Sequence, residues 1–141
     1  ARQLMAEVEV EVEAIASKTT PPVERLAELL TAVSRMNTER FVGDSKIHEM
    51  VAVAMEESWD VCDAYMERIV MAIAAIIADG VRQGQFETDN IGLAAKTTCT
   101  AMIRFFHPQL IEQCVNETEP DLGQMTNFVL AALMPRSRKA G

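Results

Sequence analysis

Apolar residues recur along this chain at three- and four-residue intervals, and the run that organises the others lies near its middle. Over 57–86, Trp59, Cys62, Met66, Ile69, Ile73 and Ile76 fall on one side of a helix, while Asp60, Asp63, Glu67 and Arg68 fall on another. Every position from 69 to 78 is apolar, so this helix has no polar side over nearly three turns. Such a segment is predicted to be enclosed by neighbours on most sides, as the central post of a helical domain. It is too short to cross a bilayer. Asp79 and Arg82 close the run, and Gly84 is placed to stop the helix in the left-handed conformation.

On either side of this post the same reading gives further helices. The segment 1–17 is ambiguous, because its alternating Val and Glu fit a strand while Leu4, Val8, Val12 and Ile15 share one helical face. No other segment offers a strand to pair with, so a helix is predicted. A break follows over 18–22, with Thr20 as the N-cap and Pro21 and Pro22 in the first turn. Over 23–40, Leu26, Leu29, Leu30, Val33 and Met36 point inward while Glu24, Arg25, Glu28, Arg35 and Glu39 face water. Asp44 or Ser45 can cap a short helix reaching Met55. After the post, Glu87, Thr88 and Asp89 supply a cap for a helix over 90–106, whose middle is mostly small residues. Pro108 interrupts it, a short turn covers 109–115, and the last helix covers 121–134. The prediction is all-α: one bundle of about six or seven helices over 1–134, followed by a flexible basic tail over 135–141.

Composition supports that class. The chain has 141 residues, enough for one domain, and is 49% hydrophobic but 5% aromatic, a balance that favours packed helices over sheets. Its net charge of −8 and pI near 4.7 argue against nucleic-acid binding by these residues, since only Arg136, Arg138 and Lys139 form a basic cluster. Cys62, Cys99 and Cys114 are odd in number and fit neither a disulfide framework nor a zinc site, so a reducing cytoplasm is expected and the cysteines read as small core hydrophobes. The Glu-rich start does not resemble a secretory leader, and the opening on Ala1 leads to the expectation that it lies inside a helix of something longer.

Catalytic spacings do not occur. Neither His48 nor His107 sits in a Glu-x-x-His or His-x-x-x-His arrangement, and there is no Gly-rich phosphate loop or Gly-x-Ser-x-Gly elbow. No catalytic residue, metal site, cofactor or enzymatic activity is expected, and Glu7, Glu9, Glu11 and Glu13 read as a solvated face. Large or adaptable apolar side chains from four helices read either as plain core or as the lining of an apolar pocket. The pocket candidates are Met36, Met55, Trp59, Cys62, Met66, Thr98, Met102 and Phe105. No buried charge is evident among them, so a neutral or weakly polar hydrophobic ligand would follow. The last two long helices also carry more apolar surface than one small bundle can cover, and a homodimer interface would use it.

The stretch from His48 to Cys114 resembles the C-terminal domain of bacterial tetracycline-repressor-type (TetR) transcriptional regulators. The carrying pieces are Ile77-Ala78-Asp79-Gly80, then Gly84-Gln85-Phe86, then Asp89 with Ala94-Ala95, then Arg104-Phe105-Phe106-His107-Pro108, and the likeness covers about 23–134. It implies a cytoplasmic, homodimeric repressor that binds a small effector. It implies also that 1–17 is the end of a linking helix towards an N-terminal helix-turn-helix, absent from this sequence, through which operator DNA would be bound. The helices over 90–106 and 121–134 would pair across the dimer, through Ala101, Arg104, Leu122, Met125, Phe128, Val129 and Ala132. The competing reading is a stand-alone helical interaction module whose last helices clasp a different protein.

Overall fold

The computed structural model describes residues 2–39 and 59–136, which form α1 (Arg2–Ala16), α2 (Pro22–Asn37), α3 (Trp59–Arg82), α4 (Ile91–Ala101), α5 (Ile103–Phe106), α6 (Pro108–Gln113) and α7 (Leu122–Leu133). There is no strand among them, in agreement with the all-α expectation. The short helix expected between Asp44 and Met55 lies outside the described residues.

In α1, Met5, Val8, Val12 and Ile15 are all at most 3% exposed, on a helix that packs against α2 and α3. Only a helix sets these four on one side, which is why the strand-like alternation does not prevail. Val10, out of that register, is 67% exposed. Glu9 departs from the solvated face expected of it: Arg68 of α3 pairs with it at 2.5 Å, and its side chain keeps 14% exposure.

The start of α2 corrects the predicted cap. The N-cap is Pro21, not Thr20, and it has no side-chain acceptor to offer. The orphan Val23 N–H is met instead by Gln85 Oε1 at 3.1 Å, from the far end of α3. Arg25 is a second correction, since it is 2% exposed and does not face water. Its Nη1 donates to Asp79 Oδ2 at 2.6 Å and its Nη2 to the Thr20 carbonyl at 2.7 Å, so a carboxylate at the end of α3 draws it inward. The α-helical part ends at Asn37 and a π-helical turn carries the winding on through residue 39, the expected end at 40 lying outside the described residues.

Helix α3 is the post, flanked by α1, α2 and α4, with Ile69, Ile73, Ile76 and Ile77 sealed from solvent. Its enclosure is nonetheless incomplete, because Met71 is 63% exposed and Ala75 is exposed. These positions show that an all-apolar run did not require burial all round.

The helix predicted over 90–106 is divided. Asn90, one residue past the expected cap, accepts from the Leu93 N–H at 3.0 Å and starts α4. Met102 then leaves helical geometry at φ −91, ψ 3, and α5 begins beyond it. His107 is extended, as a residue before proline prefers, and this ends α5. Helix α7 begins on a capping box in which Asp121 and Gln124 each accept from the other's backbone N–H at 2.8 Å. It leans chiefly on α2, with a slighter contact to α4.

Candidate functional site

Four consecutive residues after α3, Gly84 to Glu87, fix where the later helices lie. Gly84 turns left-handed at φ 75, and the Gln85 and Phe86 N–H groups both donate back to the Gly80 carbonyl, at 2.8 and 3.1 Å. Gln85 then reaches α2 through Val23. The Phe86 ring lies against Gly80, where an added Cβ would come within 2.1 Å of its Cδ2. Glu87 reaches α7 twice: its N–H donates to the Leu133 carbonyl at 2.8 Å, and its carboxylate accepts from the Arg136 N–H at 2.9 Å. Asp79 holds Arg25 on one oxygen and Arg82 on the other.

This corner leaves α4 and α7 side by side but apart. Between them runs an open cleft of about 400 Å³, with Glu87 to Asn90 at one end and small side chains of α4 along its wall. Leu93 and Phe128 stand at it 60% and 70% exposed. A second hollow of about 550 Å³ continues beyond Phe128, against Glu119, Pro120 and Met125. Of the predicted pairing residues, Ala101, Phe128, Val129 and Ala132 line the cleft and Met125 the hollow. Arg104 and Leu122 lie instead on a smaller depression of about 190 Å³, where Arg104 stacks over Phe105 at 4.5 Å and pairs with Glu117 at 2.8 Å. Leu93 was missed by sequence reasoning, because it falls in a first turn, Ile91-Gly92-Leu93-Ala94, that has no polar residue to set it apart.

The predicted ligand-pocket residues are spread more widely. Met66 lies on an open groove of about 490 Å³ between α3 and α4, Thr98 on the α4–α7 cleft, and Phe105 on the depression beside Arg104. Met36 and Met102 are core residues, at 8% and 0% exposure. Met55 lies outside the described residues, as do the side chains of Trp59 and Cys62. Near Met36 the structure adds a polar pair that the sequence reading passed over. The Tyr65 hydroxyl donates to Asn37 Oδ1 at 2.9 Å, and Asn37 Nδ2 donates to the Phe106 carbonyl at 2.6 Å. Burial pushes the Tyr65 phenol far above its ordinary value, so it remains a neutral donor. The signal was available: Asn37 falls four residues after Val33, and Tyr65 four before Ile69, both in inward register.

Cys99 is 5% exposed, and burial pushes its thiol up to about 11, which suits the core role expected of it. Cys114 is half-buried, and burial lowers the pKa of His107. Among the described residues, no group of three or more His, Cys, Asp and Glu could hold a metal ion, and no helix is long and apolar enough to cross a membrane.

A family model described as "Tetracyclin repressor-like, C-terminal domain" matches residues 22–124, from the first residue of α2 to the third of α7. The chain belongs to this tetracycline-repressor-like family. No curated protein and no solved structure matches it significantly. For a tetracycline-repressor-like domain the broad assignment is to a regulator, and the all-helical fold agrees with it. The short motifs that carried the resemblance now have a physical content: Asp79, Gly80, Gly84, Gln85 and Phe86 build the corner that joins α3 to α2 and α7.

Proposed function

We propose that this chain is the effector-binding and homodimerisation part of a ligand-responsive transcriptional repressor, working in the cytoplasm, with operator DNA contacted by a helix-turn-helix outside these residues. The observation that carries the pairing is the composition of α7. From Leu122 to Leu133 it has no charged residue, yet Gly123, Gln124, Asn127, Phe128, Ala131 and Ala132 are all exposed. In a chain with 24% charged residues, a helix whose water side is uncharged has the composition of an interface centre. The cleft beside it supplies the matching surface on α4.

Effector binding rests on family membership and on Met66, which stands at the open groove of about 490 Å³ between α3 and α4. Met66, Val70 and Ile103 give that groove an apolar part, suited to a weakly polar hydrophobic ligand. The test has two arms. Sedimentation of the purified chain should give twice the monomer mass; a monomer at high micromolar concentration would remove the pairing reading and favour a module that needs a different partner. Nile red, a neutral apolar dye, should bind the wild type and be excluded by Met66→Trp. Equal uptake by both takes Met66 out of the site.

A further inference from the structure

The groove between α3 and α4 carries charge that its apolar part does not explain. Asp63 and Glu67 line it from α3, one helical turn apart, and Lys96 lines it from α4. All three are exposed, so the charge belongs to the rim, while Met66 and Val70 give an apolar wall and Cys99, 5% exposed, lies at the floor. Carboxylates at this spacing repel each other, and a Lys or Arg one turn away is what relieves such a pair on a helix. That relief is missing. None of Asp63, Glu67 and Lys96 forms an ion pair among the described residues, and Arg68, the cation next to Glu67 in sequence, is committed to Glu9 of α1.

We propose that the ligand of this groove is an amphiphilic organic cation, its apolar body laid along Met66 and Val70 and its ammonium group held by Asp63 and Glu67. One positive group placed there meets both carboxylates and ends their mutual repulsion. Lys96 on the opposite wall turns a second positive charge away, which confines the cation to the α3 side. The chain's net charge of −8 adds a field that gathers cations at such a rim. The proposal rests on the effector reading given above and extends it, adding to the ligand a charge that the apolar part alone does not require.

Two dyes of one shape test it: diphenylhexatriene, which is neutral, and its trimethylammonium derivative, both of which fluoresce strongly only out of water. The wild-type chain should bind the derivative about fivefold more tightly, a preference that two part-exposed ion pairs together sustain. Asp63→Asn combined with Glu67→Gln should abolish that preference and leave the neutral dye bound as before, whereas Lys96→Gln should widen it. All three positions are exposed, so the variants should stay folded, and far-ultraviolet circular dichroism checks that they remain helical. Added salt should weaken uptake of the derivative alone. Equal affinity of the wild type for both dyes overturns the proposal, as does a preference that survives the double substitution. A wild type that takes up neither dye, or uptake that Met66→Trp leaves intact, overturns the effector site itself instead.

Discussion

Arg25 has its guanidinium almost wholly out of water, with Asp79 on one nitrogen, the Thr20 carbonyl on another, and no hydrogen-bond partner for Nε among the described residues. Its carboxylate partner is 27% exposed and is also held by Arg82, so the two ends of this pair are not equally dependent on each other. Removing a partner from a buried charge costs far more than removing the charge itself. Asp79→Ala, which strands the guanidinium, should therefore cost about 3 kcal/mol, whereas Arg25→Met should cost about 1 kcal/mol. Urea denaturation of both variants decides it; equal losses would mean that the pair adds nothing beyond packing. Arg25 is also the residue at which sequence reasoning failed most plainly. A charged side chain among helical polar positions reads as solvent-facing, and the carboxylate that reverses this lies 54 residues further on.

At the scale of the element, the end of α3 shows how a glycine can be required inside a helix. Gly80 costs about 1 kcal/mol of helix propensity relative to alanine, yet the Phe86 ring occupies the space a Cβ would need. Phe86 is 2% exposed and has nowhere to retreat. Gly80→Ala should destabilise the wild type by about 2 kcal/mol, as overpacked sites do. In a Phe86→Ala background the same change should become neutral or stabilising, by up to about 1 kcal/mol. Thermal denaturation of the four proteins tests this, and a loss of the same size in both backgrounds would acquit the ring. Periodicity was enough to find α2, α3 and α7, whereas α1 also needed the argument that no other segment could pair with it as a strand. Periodicity could not foresee the break at Met102, where no Gly or Pro marks the site. Nor could it foresee a helix start capped by Gln85 from another element.

For the whole molecule, the proposed pairing would bring together two chains carrying −8 each, which favours a face without charge. Ala131→Glu sets a carboxylate at an exposed position on the uncharged side of α7 and, if that side is the pairing face, should abolish the dimer while leaving the monomer folded. Added salt, which screens the repulsion between the anionic chains, should tighten the wild-type dimer. Sedimentation at low and high salt checks both, and a dimer indifferent to Ala131→Glu would place the contact elsewhere. The surplus apolar surface of the last helices was legible in the sequence. The distribution of the pocket candidates was not, since helical spacing tells which residues share a face but not which faces meet. Gln85, Phe86 and Glu87 leave no slack between the end of α3 and the end of α7, for each is bonded or packed to a different helix. A displacement of the post by even a fraction of a turn would thus be delivered to the far end of α7 as through a coupling rod, with the loop acting as a joint of fixed length.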